Sequence, residues 1–391
     1  MAGPLHGLKV LDFTSLWPGP LATLWLADLG AEVLRVEAPD RPDLLRWLPP
    51  LDPRGEGAAW SMANRNKRSM VLNLKAPGAA DVVKRLVKSY DVVVEQFRPG
   101  VLDKLGVGYE ALRQVQPGLI WCAITGFGQT GPLRDRPGHD IDFVALSGIA
   151  SHMGRPGQGP SQPGVLVADV GGGTYPALVG VLAAVVQRLQ TGQGALVDVS
   201  MLDGALWFDA MAASGVLAGG PEARPGEDAL AGGSAYDYFP TRDGGWLAVG
   251  ALEPKFWTMF CRAIERPDLE HHPAERPSDR WALRQELART LASRDRVDWM
   301  GVFAQVPCCV EPVLTTLEAL NQPQVLERGM VVDVPLPEGG SVRQLATPVR
   351  FAEGPPTRAA VLPGHDTQAV LNELGLTPAE QAELRTAGVL G

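Results

Sequence analysis

Three short stretches carry residue types that could move a proton beside a carbonyl group. "RPGHDIDF" (136–143) sets His139 next to Asp140, after Pro137 and Gly138. An imidazole titrates near neutrality and can serve as base or acid. A satisfied structural histidine fits the same stretch. "VADVGGGTYPALVG" (167–180) reads as a strand reaching Asp169, then three glycines, then a helix. A carboxylate at the carboxyl end of a strand faces the crevice where ligands bind in open α/β sheets. Glycines there would let a ligand approach the backbone. The free amides and positive dipole end of the helix would suit an enolate or thioester oxygen. A helix-capping Asp is the plain alternative. "LAVGALEPKFW" (247–257) ends an apolar run on Glu253, with Pro254 next. By itself that is an ordinary strand-end turn residue.

These residues need a frame to hold them. "LKVLDF" (8–13), "AEVLRVE" (31–37), "SMVLNL" (69–74), "DVVVEQF" (91–97) and "LIWCAIT" (119–125) read as strands. Between the first two, Pro18 and Pro20 start a helix and Gly30 stops it. "AADVVKRLVKSY" (79–90) reads as an amphipathic helix. Alternation of strand and helix predicts an α/β fold, a doubly wound, Rossmann-like parallel sheet. No GxGxxG follows the first strand, so a dinucleotide enzyme is disfavoured. The run "YPALVGVLAAVV" (175–186) is shorter than the about 20 residues a membrane span needs, and is expected to be a buried helix.

The expected organisation is a large α/β domain over 1–215 and a Gly/Ala/Pro-rich linker over 216–235. A smaller α+β domain follows over 236–328, and a segment over 329–391 returns to the large domain. In the smaller domain, the turn at Asp243-Gly244-Gly245 predicts a β-hairpin, with helices over 281–305. In the helical tail, Thr367 and Thr377 are candidate N-caps, the latter inside "TPAE".

Composition narrows the function. The chain has 391 residues, 45% of them hydrophobic and 20% charged, and a formal net charge of −9. That disfavours a nucleic-acid partner. Arg65, Lys67 and Arg68 could hold a small phosphorylated ligand or lie on a solvated loop. Cys122, Cys261, Cys308 and Cys309 include no CxxC pair, which predicts a reduced, cytoplasmic protein. The pair His271-His272 has no matching ligand motif, so no metal site is expected.

Taken in order, "VLDFTSLWPGPLATLWLADLGAEVLRVE", "NRNKRSMVLNLK", "VVVEQFRPGVLDKLGVGYE", "LIWCAITGFGQTGP" and "VADVGGGTYPALVGVLAAVVQRLQTGQG" resemble the family III CoA-transferase fold over essentially the whole chain. "PGHDIDFVALSG" and "VGALEP" resemble the α-methylacyl-CoA racemase branch of that family. The resemblance implies a racemase acting on 2-methylacyl-CoA thioesters in acyl-CoA (fatty acid) metabolism. His139 and Glu253 would form one base and Asp169 the opposite one. Inversion at a carbon beside a thioester needs such a pair, in complementary protonation states. The amides where Asp169 meets its helix are the expected enolate donors.

By the same resemblance CoA would contact Arg35, Leu72, Lys75, Gln96, Phe97, Arg98, Lys104 and Leu105. CoA is part of the substrate, with no other cofactor and no membrane partner. The family forms interlocked homodimers, which could bring Glu253 from the partner chain. The alternative within the family is a CoA-transferase with Asp169 as nucleophile. A third reading is a binding protein that kept the CoA site without chemistry. Pro137 and Phe143 stand where racemases often have Ala and Tyr. In the tail, Gly364-His365-Asp366-Thr367 replaces the usual G-E-H-T, and no role is carried over to His365.

Overall fold

The computed structural model describes residues 3–228, 230, 232, 234–271, 277–351 and 357–390. His272 lies outside that set. Two units are distinct. The large one comprises Met1–Ser147, Val165–Phe208 and Gln324–Gly391, and the small one Gly148–Gly164 and Asp209–Pro323.

Short apolar runs become the strands of the large unit: β1 Lys9–Asp12, β2 Glu32–Glu37, β3 Arg68–Val71, β4 Val92–Glu95, β5 Ile120–Thr125 and β6 Leu196–Ser200. All pair in parallel, in the order β3-β2-β1-β4-β5-β6. The chain order reverses between β1 and β4, so the crevice for a ligand opens at the carboxyl ends there.

Along the chain run α1 Pro18–Asp28, α2 Ala58–Ala63, α3 Ala79–Val87, α4 Val101–Lys104, α5 Tyr109–Val115 and α6 Asp140–Leu146. The helix α7 Ile149–His152 belongs to the small unit. Then come a π-helix over Val167–Thr174, α8 Tyr175–Thr191 and α9 Met201–Phe208. One face of the sheet buries Leu11, Leu34, Met70, Val93 and Trp121 against Val82, Val83, Leu86 and Val87 of α3. Each fully buried aliphatic side chain there contributes about 1.5–3 kcal/mol. Their spacing of one, three and four residues puts them on one helical face. Helices α1 and α8 pack on the sheet's other side.

The sequence places α8 as a buried helix, and that holds for one side only. Ala177, Leu178, Val181 and Ala184 are buried, whereas Val179, Val186 and Leu189 are exposed. With the π-helix it forms a continuous run, Val167–Thr191, long and apolar enough to cross a membrane by length and composition.

In the small unit, α10 Ala210–Leu217 takes up the first residues of the loose stretch. Strands β7 Asp237–Pro240, β8 Trp246–Val249 and β9 Val310–Pro312 make an antiparallel sheet. The expected hairpin turn is present, with Gly244 at φ +80. Around the sheet lie α11 Pro254–Ala263, α12 Pro277–Leu291, α13 Arg296–Phe303 and α14 Thr316–Leu320. Phe239, Leu247, Phe260, Leu287 and Trp299 form the core. The buried Asp237 carboxylate takes bonds from Arg155 and Arg284. All four cysteines are free, and only Cys309 is exposed.

The chain re-enters the large unit through α15 Pro323–Glu327 and the antiparallel hairpin β10 Val331–Pro335 with β11 Ser341–Leu345. It ends in α16 Thr367–Glu373 and α17 Pro378–Thr386. This tail covers the outer edge of β3. Asp366 donates its N–H to the Ser69 carbonyl at 2.8 Å, and its carboxylate accepts from Ser69 N–H at 2.9 Å. An edge so covered cannot template a further strand. Thr377 caps α17 in a reciprocal pair with Glu380, as its sequence predicts. Thr367 does not cap α16. Asp366 takes that position, and the Thr367 hydroxyl instead accepts from Val71 N–H at 3.1 Å.

Candidate active site

The Asp169 stretch departs from its expected geometry. No strand leads into it; the residue sits in the first turn of the π-helix. The glycines serve packing, not ligand approach. A Cβ on Gly172 would lie 2.6 Å from the Met201 carbonyl oxygen, and one on Gly204 would lie 2.3 Å from Gly172 Cα. On Gly171 it would strike the Phe208 ring at 2.7 Å. Only hydrogen at these positions lets the π-helix and α9 touch backbone to backbone. The other end of the π-helix is tied down by Thr174, whose hydroxyl donates to the Pro18 carbonyl at 2.7 Å.

His139 precedes α6 in extended conformation, φ −123 and ψ 172. Asp142 holds it there, accepting from His139 N–H at 2.9 Å. Phe143 fills the space beneath. Its ring is buried, meets Phe127 edge-on at 5.3 Å, and leaves no room for a Cβ on Gly126 or Gly138. The side chain of His139 is exposed and Asp169 is half-buried.

The two meet electrostatically. Burial pushes the Asp169 carboxyl up to about 6; the Asp140 carboxylate adds to this and His139 opposes it. Asp169 thus lies within electrostatic reach of the His139 imidazole, and its carboxyl gives up its proton at higher pH than a solvated one does.

The amides expected to bind an enolate oxygen are already engaged. Asp140 Oδ1 accepts from Ala168 N–H at 2.7 Å and from Asp169 N–H at 3.0 Å. Val170 N–H donates to the Leu166 carbonyl at 3.2 Å. Asp169 lies inside a continuous helical run, so no free N-terminus follows it.

Glu253 belongs to the small unit. It stands at the N-cap of α11, exposed, and its carboxylate makes no capping hydrogen bond.

The residues expected around CoA divide by exposure. Arg35 is buried, 2.7 Å from Asp43 and 3.4 Å from Glu37, with its guanidinium 5.8 Å from the Trp60 ring centre. Its Nε and Nη1 have no partner. The Leu72 side chain is spent on the core. Gln96 accepts from Gly19 N–H at 3.1 Å. Phe97 and Leu105 are half-buried, whereas Arg98 and Lys104 are exposed. Lys75 is exposed too, 3.1 Å from Asp40.

The basic triplet is neither a phosphate site nor a solvated loop. Arg65 is buried on Asp28 and the Leu345 carbonyl. Arg68 bonds Glu32 and Glu373. Lys67 is buried on Asp12, Thr23, Asn64 and the Pro20 carbonyl, and burial lowers its ammonium to about 8 against the pull of Asp12. This network anchors the first turn of α1, to which Thr174 is also bonded.

The chain matches the model of CoA-transferase family III over residues 5–368. This protein is a member of CoA-transferase family III. The α-methylacyl-CoA racemase of Homo sapiens is 32% identical over 388 residues, covering 99% of this chain and 97% of the relative. The succinyl-CoA:glutarate CoA-transferase of Homo sapiens is 33% identical over 396 residues, covering 99% and 90%. A CAIB/BAIF family protein from Brucella suis superposes with a TM-score of 0.83 at 31% identity, over 96% of this chain and 100% of that one. Racemases and CoA-transferases therefore stand at equal distance from this member of the family.

Sequence reasoning set Asp140 beside His139 but gave neither Asp140 nor Asp142 a part in holding these segments. Their signal was present: carboxylates one and three positions after a histidine at the start of a helix are where capping and dipole effects favour acids.

Proposed function

We propose that the protein interconverts (R)- and (S)-2-methylacyl-CoA thioesters by α-proton exchange between two bases. The observation that carries this reading is the His139–Asp169 pair, with Asp169 raised to about 6. With the α-carbon between them, neutral His139 takes the proton from one face. The electron pair left on carbon delocalises into the thioester carbonyl as an enolate. Protonated Asp169 then returns a proton to the other face, leaving His139 as imidazolium and Asp169 as carboxylate. Reversal exchanges the roles. A carboxyl titrating near 6 is about one-tenth protonated at pH 7, so both starting states are accessible. Glu253 enters by the resemblance alone, as the carboxylate that would orient and charge-balance such a histidine. CoA would bind as part of the substrate, with the exposed Lys75, Arg98 and Lys104 offered to its phosphates.

CoA transfer is the second reading. The relatives include CoA-transferases as similar as the racemases. In that chemistry the Asp169 carboxylate attacks the acyl-CoA carbonyl, forming an anhydride and releasing the CoA thiolate. His139 has no place in that step.

The test is a single epimer of a 2-methylacyl-CoA in D2O, without acceptor acid, followed at the α-position by NMR. Deuterium should enter Cα as stereochemical purity is lost. His139→Ala and Asp169→Asn should each slow the loss of stereochemical purity by roughly 10²–10⁴-fold. Transfer of CoA to an added carboxylic acid without α-exchange would replace the racemase reading with the transferase one.

A further inference from the structure

We propose that Asp140 is a positioning residue, whose carboxylate ties the helix carrying His139 to the turn carrying Asp169. The inference rests on the two-base reading above. One oxygen, Oδ1, accepts from two consecutive amides, Ala168 N–H at 2.7 Å and Asp169 N–H at 3.0 Å. Bonds from N–H groups to an ionised carboxylate are among the stronger ones proteins make. They also occupy donors that the first turn of a helix otherwise leaves open.

The neighbouring carboxylates have different tasks. Asp142 bonds back to His139 N–H within its own helix. Asp140 reaches across to the other catalytic segment. The π-helix is therefore pinned at its start by Asp140 and at its end by Thr174 on Pro18. Between these ties, its glycines press on α9 and allow it no sideways slack. Removing the first tie would free the turn that carries Asp169.

The same carboxylate sets the charge Asp169 experiences. Within the large unit, the elements packed on the π-helix bring few charged groups. Helix α6 carries Asp140 and Asp142, with His139 at its N-cap; α9 carries Asp203; β6 carries Asp198; α1 and α8 carry Asp28 and Arg188 toward their far ends. Of these, Asp140 and His139 act on Asp169, in opposite directions. Asp140 thus serves a geometric role through its oxygen and an electrostatic one through its charge.

Two substitutions in the full-length chain separate the roles. Asp140→Asn keeps an acceptor oxygen and drops the charge, whereas Asp140→Ala drops both. For the epimer whose proton Asp169 removes, the exchange rate rises with pH as Asp169 ionises. In Asp140→Asn that rise should move to lower pH, with less than about a tenfold loss at its plateau. In Asp140→Ala the plateau should fall about 10²-fold with little change in KM, the scale of a misplacement near 1 Å. A pH profile of Asp140→Asn that coincides with the wild type would overturn the proposal. So would an Asp140→Ala plateau equal to that of Asp140→Asn. Should Asp140→Ala not fold, the Asp140→Asn profile decides alone. Failure of the two-base reading would show separately, as racemisation that survives His139→Ala and Asp169→Asn.

Discussion

Glu95, at the carboxyl end of β4, is a second acid whose environment favours its proton. Burial pushes its carboxyl up to about 7, against a backbone bond from Phe97 N–H at 2.7 Å and a bond from Trp121. Unfolded, a Glu side chain titrates near 4.3. The folded chain therefore binds this proton more tightly than the unfolded one. Its contribution to stability is complete below that unfolded value and is lost as pH rises through about 7. Glu95→Gln keeps an oxygen for Phe97 N–H and removes the ionisation. We expect it to stabilise the protein at pH 8 by about 1–3 kcal/mol, seen as a rise in Tm of about 2–4 °C. At pH 5 the two proteins should melt close together. A variant less stable than wild type at pH 8 would mean that the ionised carboxylate has a partner worth more than its burial costs.

At the level of elements, the meeting of the π-helix with α9 is the contact that most narrowly fixes the site. Gly204 faces Gly172, and a methyl group there would lie 2.3 Å from backbone that cannot turn aside. In an exposed helix, Gly→Ala gains about 1 kcal/mol from propensity. Here the overlap outweighs that gain, and Gly204→Ala should destabilise by about 1–3 kcal/mol and slow α-exchange by displacing Asp169. Gly215→Ala on α10, where nothing lies within 4 Å, is the control and should be neutral or stabilising. Denaturant melts and exchange rates of both variants test the contrast.

The sheet was legible because its strands are continuous apolar runs, as parallel strands buried on both faces must be. The π-helix was not, because its valines and glycines also suit a strand end and a capped turn, and no residue type marks a π-turn. Lys67 was misread for a related reason. A Lys in a basic cluster looks solvated until the fold brings Asp12, Thr23 and Asn64 around it from other segments. The His139–Asp169 pairing emerged only through family resemblance, since 30 residues separate the two and no periodicity links them.

For the whole molecule, the large unit leaves a substantial apolar surface open. Leu189 on α8 is 82% exposed and Trp207 on α9 is 79% exposed, with Val179, Val186 and Phe208 exposed beside them in sequence. Leu196 on β6, the edge strand opposite β3, is exposed as well. Isolated exposed apolar side chains are ordinary, but groups on adjoining elements mark a surface that is covered in use. Membrane insertion would fit the length of the Val167–Thr191 run, yet the site-forming π-helix is its first third and its glycines are pressed against α9. The interlocked homodimer that the resemblance implies would cover this surface without disturbing Asp169. If the chains interlock as the resemblance implies, sedimentation gives twice the 41.7 kDa of one chain, with no dissociation on dilution. Leu189→Glu should destabilise that dimer or lower its yield. A monomer that floats with phospholipid vesicles would instead assign the surface to a membrane.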